Sequence, residues 1–314
     1  MINIKKRYLK IILLAILFTN FASLNLASYE IKIIKKIGKE IVTNIDVAKE
    51  YQYLLALNKK FESIKQEQLL LIAEQSIIKE KIKKNEILKF YSLGDKDRDL
   101  ISNIIRGIYL PMGIQDEINF EKYLKNYNLT LKEIYNKIEI EIVWNQLIYS
   151  KYKNQININK ELIRKKTLKI KEEQIAYNLS EIFFFGKTKS EILKKYEDLK
   201  IQINELGFDK ASIIYNQSES RTQAGLLGWV YENQLSNSFK KELKNLEVNQ
   251  FTGPLNVAEG ALILKINDKK KETKTINFDD EFAKNIKFET EKQLNNFSLI
   301  YFNKVKNIIT DEQN

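Results

Sequence analysis

The sequence predicts an α+β protein. It has a helical N-terminal region carrying a short β-hairpin, a small α+β region behind it, and a C-terminal helix that packs back on the N-terminal region. Three observations lead there. Apolar residues recur at helical spacing from about residue 44 to residue 152, the period switches to two at Glu173, and helical spacing returns after Lys269-Lys270-Lys271. A chain of 314 residues, 44% hydrophobic with 16 Phe and 16 Tyr, is long enough for two folded units and rich enough in bulk for a sizeable core.

The elements follow in order. Ile31 to Ile37 and Glu40 to Val42 flank Gly38 and Lys39, which reads as a hairpin. Thr43-Asn44-Ile45-Asp46 offers a hydroxyl and a carboxylate to the open amides of a helix start, and the helix it caps extends to about Leu57. Leu70, Ala73, Ile77, Ile78 and Ile82 set a second helix; Leu100, Ile101, Ile104, Ile105 and Ile108 set a third that stops near Pro111 and Gly113. Thr130-Leu131-Lys132-Glu133 is a capping box. Behind it Ile134, Ile138, Ile142 and Tyr149 mark a long helix to roughly Tyr152.

From Glu173 the residues Ile175, Tyr177, Leu179, Glu181, Phe183 and Phe185 share one face of a strand, and Glu181 is the lone carboxylate on it. Ile192, Tyr196, Leu199, Ile203 and Leu206 step along a helix closed by Gly207, where a positive φ suits glycine. Short helices at about Phe208 to Tyr215 and Ser238 to Leu246, the turn Gly253-Pro254-Leu255 and a last strand Ala261 to Ile266 complete a compact α+β order. A charged linker is expected after Lys271. Phe282, Ile286, Phe297, Ile300, Val305 and Ile308 then form the stripe of a C-terminal helix too short to fold alone.

Composition narrows the chemistry. With no Cys and no His, the chain has no thiol nucleophile, no imidazole base and no zinc site of the usual kind; no cofactor and no metal are expected. The net charge of +11 is spread among alternating Lys and Glu, and only five of the 52 cations are Arg, so nucleic acid is not an expected partner. The basic start, the apolar run Ile11 to Phe18 and the small and polar residues Thr19 to Ser28 read as a cleaved export signal, because about 20 apolar residues are needed to span a bilayer. There is no Gly-x-x-x-x-Gly-Lys phosphate loop. The division expected is 1–28 signal, 29–170 helical domain, 171–272 α+β domain, and 273–314 a helical segment completing the helical domain.

Residues Glu173 to Lys271 resemble the parvulin (PpiC-type) peptidyl-prolyl isomerases. The residues carrying the resemblance are Tyr177 to Phe184, the loop Gln223-Ala224-Gly225-Leu226-Leu227-Gly228-Trp229, Phe239 to Leu246, Gly253-Pro254-Leu255, and Gly260 to Lys265. The flanks, Ile34 to Ala48, Asn126 to Ile158 and Phe288 to Ile309, are similar to the SurA-like chaperones, here with one parvulin-like domain.

The resemblance implies a rotation about a prolyl bond by a polar set of two His, a Cys or Asp, and a Ser or Thr. At those positions this chain has Glu181, Gln217 or Ser218, Leu262, and the segment Val257-Ala258-Glu259, so no catalytic residue is carried over. It also implies an apolar proline groove, matched by Leu227, Leu235 and Phe239, with Phe183 and Trp229 beside it. Glu181, beside Leu262, is expected to find a Lys or a backbone partner. The function expected is that of an ATP-independent periplasmic chaperone with a degenerate parvulin domain, the alternative being an isomerase with residual activity. Its partners would be unfolded outer-membrane proteins or other exported polypeptides, with transient contact at the membrane surface.

Overall fold

The computed structural model describes residues 30–94, 98–170, 172–257, 259–273 and 277–311. The signal segment expected at residues 1–28 lies outside the described residues. The chain divides into Met1–Lys32 and Ile33–Asn314, and the elements belong to the second unit.

Strands β1 (Ile33–Ile37) and β2 (Glu40–Thr43) pair antiparallel through a turn at which Gly38 takes φ +54°. Helix α1 (Asn44–Leu57) starts directly from β2. Thr43 Oγ1 accepts from the Asp46 amide at 3.2 Å while the Asp46 carboxylate accepts from the Thr43 amide at 2.8 Å. Next come α2 (Gln66–Ile87), α3 (Arg98–Tyr109), α4 (Glu117–Lys125), α5 (Leu131–Tyr152) and α6 (Lys160–Thr167). The capping box Thr130/Glu133 opens α5 as the sequence expects. Helices α4 and α6 carry too few apolar residues to announce a period, and their start signals are the single side-chain caps Asp116 and Asn159.

Two stripes turn relative to the sequence reading. In α3 the core takes Ile101, Ile105 and Tyr109, leaving Leu100 and Ile104 exposed, because α3 packs over α5 beside Phe120 and Leu124. In the final helix, α10 (Phe278–Asp311), the buried apolar residues are Tyr301, Val305 and Ile309, backed by Phe297; Ile300 and Ile308 are exposed. A spacing of four keeps Phe297, Tyr301, Val305 and Ile309 on one side of the helix. Trp144 of α5, fully buried, meets Tyr301 at 5.7 Å between ring centroids and donates its indole N–H to Ser298 Oγ at 2.8 Å. Tyr152 stacks on Phe297 at 4.6 Å. Thus α10 closes the helical region, packing on α2, α5 and α6.

A cluster of charges lies inside that region. Lys137 of α5 meets the carboxylates of Glu50 (2.5 Å) and Glu80, and Glu50, which is buried, also accepts from Ser76 Oγ at 2.7 Å. Burial alone lowers a lysine, but the two carboxylates outweigh it and hold Lys137 above its ordinary value.

The α+β region contains β3 (Glu173–Phe185), α7 (Lys189–Leu206), α8 (Phe208–Tyr215), β4 (Leu226–Tyr231), α9 (Asn237–Lys244), β5 (Leu255–Val257) and β6 (Gly260–Thr273). The four strands are antiparallel in the order β4-β3-β6-β5. On one face Ile182, Phe184, Ala261 and Ile263 pack against Leu199, Ile203, Phe208 and Ala211 of α7 and α8. On the other, Tyr177, Leu179, Leu264 and Ile266 pack against Leu243 of α9.

β6 is longer than the sequence suggests. The lysine run expected to begin a linker continues the strand, since Glu173 to Tyr177 supply backbone partners as far as Thr273. Lys271 pairs with Glu173 and Lys270 with Glu272 at 2.8 Å, so the charges of this extension are matched along the sheet.

Candidate functional site

The site grows from the middle of β3. Glu181 lies across from Leu264, and Leu262 lies across from Phe183, so the direct neighbour of Glu181 is Leu264 and Leu262 is its diagonal one. Beyond Ser180 the pairing of β3 with β4 ends, which leaves the amides of Phe183 and Phe185 open on that side. Loop side chains take them: Asn216 Oδ1 accepts from Phe183 N at 3.0 Å and Gln217 Oε1 from Phe185 N at 2.8 Å. Gln217, one of the two residues standing at the family's loop position, therefore completes a sheet edge.

The other, Ser218, reaches Glu181. Ser218 Oγ lies 2.7 Å from Glu181 Oε1, Ser220 Oγ lies 2.8 Å from the same oxygen, and the two hydroxyls are 2.7 Å apart. Asn216 Nδ2 donates to Ser220 Oγ at 2.9 Å. Glu181 thus meets two serines in place of the Lys or backbone partner that the sequence suggests. Both hydroxyls donate to that carboxyl oxygen, and burial pushes Glu181 upward, outweighing the lowering effect of Ser218 and Ser220.

Gly225 fixes the geometry of this loop. Its O accepts from Glu181 N at 2.8 Å, and at φ +77° a Cβ would lie 2.2 Å from Glu181 O. The preceding residue, Ala224, is fully buried at φ +55°, a left-handed conformation that a residue with a Cβ rarely adopts.

Between the two serines, Glu219 turns the other way, to the helical region. Its carboxylate lies 2.6 Å from Lys79 Nζ and 3.1 Å from Lys83 Nζ, both on α2, and Lys83 also meets Glu141 of α5 at 2.6 Å. The Glu219 side chain keeps much of its surface at solvent. Desolvation by the surrounding protein still pushes its carboxyl up, and the two lysines outweigh that push, holding it down at about 2. Arg221 donates to Ile213 O at 2.6 Å and to Gln75 Oε1 of α2 at 2.9 Å. Asn58 Nδ2 donates to Thr222 O at 2.8 Å, and Lys60 meets Asp209 at 2.6 Å. Ile213 and Ala224 join the core formed by α1, α2, α5 and α10. One loop therefore serves Glu181 on one side and the helical region on the other. The sequence reading named Ser218 but missed Asn216, Glu219, Ser220 and Arg221; the alternation Ser-Glu-Ser, placing one charge between two hydroxyls, was the signal available.

The groove residues divide. Leu235, Phe239 and Leu262 gather on the face of Leu264 and Leu243. Phe183 is buried and meets Phe185 edge-on at 4.9 Å. Leu227 stands in a bulge of β4, between the pairs Ser180/Leu226 and Leu179/Gly228, and is exposed. Trp229 also separates from the cup. Its neighbour Val230 joins the Leu243 face, so alternation directs Trp229 to the other face, where it is 41% exposed with Lys270 Nζ 4.6 Å above its ring. Among the described residues no group of three His, Cys, Asp or Glu is placed to hold a metal ion, and no helix is long and apolar enough to cross a membrane.

Residues 164–268 match the family described as rotamase, PPIC-type PPIASE domain. The chain carries one PpiC-type parvulin domain. The PpiC-type domain includes β3 through most of β6 and hence Glu181, the serine loop and the Leu235/Phe239/Leu262 cup. Among solved structures, a PpiC-type peptidyl-prolyl isomerase domain is 22% identical over 31% of this chain and 94% of its own, with TM-score 0.28. PrsA from Bacillus subtilis is 19% identical over 88% of this chain and 92% of its own, TM-score 0.28. A structure described for PEB4 and Cj1289, two SurA-like chaperones of Campylobacter jejuni, is 14% identical over 90% of this chain and 96% of its own, TM-score 0.29. No curated protein matches the chain.

Proposed function

We propose that the protein is an exported, ATP-independent chaperone of the SurA-like kind, working in the periplasm on unfolded outer-membrane proteins or other exported polypeptides, and that its parvulin domain no longer isomerises prolyl bonds at a useful rate. The observation carrying this reading is the closed ring of Glu181, Ser218 and Ser220 at the family's catalytic position. No imidazole or thiol is present, and the loop is tied to α2 through Glu219 and Arg221. A prolyl peptide bond rotates over a barrier of about 18–20 kcal/mol, and a carboxyl already satisfied by two hydroxyls offers little to lower it.

Holding needs apolar surface and open backbone, and β4 supplies both. It is one of the two edge strands of the sheet and presents Leu226, Leu227 and Trp229 to solvent. An extended unfolded segment can add to such an edge through its own backbone while its side chains rest on the exposed ones. The division into a helical domain (29–170 with 273–314) and a parvulin domain (171–272) belongs to this proposal, as do export by residues 1–28 and transient contact with the membrane surface.

The second reading, residual isomerase activity, is favoured by the surviving cup of Leu235, Phe239 and Leu262 beside Leu264. Two assays separate them. A denatured outer-membrane β-barrel protein diluted with a stoichiometric amount of the mature chain should stay unaggregated, and a proline-peptide isomerisation assay should show no gain over the uncatalysed rate. Unchanged aggregation together with a clear rate gain would reverse the assignment.

A further inference from the structure

A cavity of about 730 Å³ opens where the β1/β2 turn, the end of α2 and the last turns of α10 meet. Its apolar lining is Leu88, Val305, Ile308 and Ile309, of which Leu88 and Ile308 are exposed. Charged side chains line the rest, and the carboxylates among them are already neutralised. Glu40 is held by Lys81 at 3.1 Å and Lys84 at 2.8 Å, and Glu86 by Lys89 at 2.8 Å and the Tyr301 hydroxyl.

Lys39 and Lys304 then remain without a carboxylate at ion-pair distance among the described residues. Lys151 sits over the rings of Phe90 (4.3 Å) and Tyr301 (5.0 Å) and adds its charge to the same space. The lining therefore combines an apolar floor with an excess of cations. Asn85 adds an amide with no hydrogen bond among the described residues, able to give and accept one each.

We propose that this cavity binds a short polypeptide segment in which one or more carboxylates adjoin large apolar side chains. The carboxylates would meet Lys39 and Lys304, the apolar side chains would lie on Leu88 and Ile308, and Asn85 would pair with the segment's backbone. The open amide favours a peptide over an acyl chain, which has nothing to exchange with it. A volume of this size suits a few residues. This selectivity rests on the chaperone reading above and adds to it the kind of segment chosen.

The test uses the full mature chain and a fluorescein-labelled peptide ending Phe-Ile-Asp with a free carboxylate, compared by anisotropy with the same peptide ending Phe-Ile-Asn amide. The acidic peptide should bind about fivefold more tightly, the preference should fade with added salt, and K39Q/K304Q, two exposed lysines whose loss leaves the core untouched, should abolish the preference. Equal binding of both peptides, or a preference that survives K39Q/K304Q, overturns the proposal. So does stronger lysine-dependent binding to anionic phosphatidylglycerol vesicles than to the acidic peptide. If the outer-membrane client is protected from aggregation but neither peptide binds, the cavity proposal fails alone. If the acidic peptide binds through the lysines while no client is protected, the chaperone reading fails alone.

Discussion

Lys83 of α2 reaches Glu219 at 3.1 Å, so the loop whose serines enclose Glu181 is held at its middle residue by the helical region. Lys83 is nearly fully buried, yet it stays cationic because Glu219 and Glu141 outweigh the cost of burial.

Reversing that charge should release the parvulin domain. Glu219→Lys brings a third cation to Lys79 and Lys83, and small-angle scattering should show a larger radius of gyration than for wild type. The wild-type contact has a pH limit as well. Glu219 is held at about 2 against an ordinary 4.5, so its contribution is complete above 4.5 and is lost as pH falls towards 2. An unchanged radius in the variant would show that Ile213, Ala224 and Arg221 suffice for docking.

Glu181 gives the opposite sign. A carboxyl raised by burial holds its proton in the folded chain after the unfolded chain has lost it, so stability is complete below the ordinary value and declines as pH rises through the raised one. Glu181→Gln stays neutral throughout and should gain on wild type with rising pH, by about 1.4 kcal/mol for each pH unit separating the folded and unfolded values. Urea unfolding at a series of pH values measures this; parallel curves for the two proteins would refute a raised Glu181 carboxyl.

Lys137→Met should cost about 3–5 kcal/mol in urea unfolding, because Glu50 and Glu80 are left facing each other without a cation. Replacing all three by apolar residues should recover most of the loss. Should Lys137→Met prove neutral, water must reach the two carboxylates.

Gly225→Ala should destabilise by more than about 2 kcal/mol, since its Cβ would meet Glu181 O at 2.2 Å and Ser212 Oγ at 2.4 Å at a φ of +77°. Gly107→Ala, in α3 with open space around it, should instead stabilise by about 0.5–1 kcal/mol. Thermal melts of the two variants should move in opposite directions.

Much of the local structure was legible in the sequence because it depends on neighbours in the chain. Thr43/Asp46 and Thr130/Glu133 close their helix starts over three residues, Gly207 ends α7 at φ +82°, and the alternation from Ile175 to Phe185 marks a strand whatever lies beside it. The loop Gln223 to Trp229 and the strands around it likewise identified the parvulin domain. What lay beyond the sequence depends on residues far apart in it. In the last helix hydrophobicity ranks Ile300 above Tyr301, yet Tyr301 is the one in the core, selected by Trp144 and Glu86 on other helices. Ile300 is one position away and stays exposed, since a step of one turns a helix side chain by about 100°.

The same division holds at the site. Residue types alone removed imidazole and thiol chemistry and left Glu181 as the lone carboxylate among the face residues Ile175 to Phe185. Its partners were decided only by the tertiary structure. Ser218 and Ser220 are 37 and 39 residues away, Lys83 is 136 residues from Glu219, and the cavity cations Lys39, Lys151 and Lys304 come from three separate parts of the chain. Capping, turns and periodicity are set by the backbone within a few residues, so the sequence determined them by itself. Charge pairing and burial depend on which distant surfaces meet, and packing of the whole chain decided those.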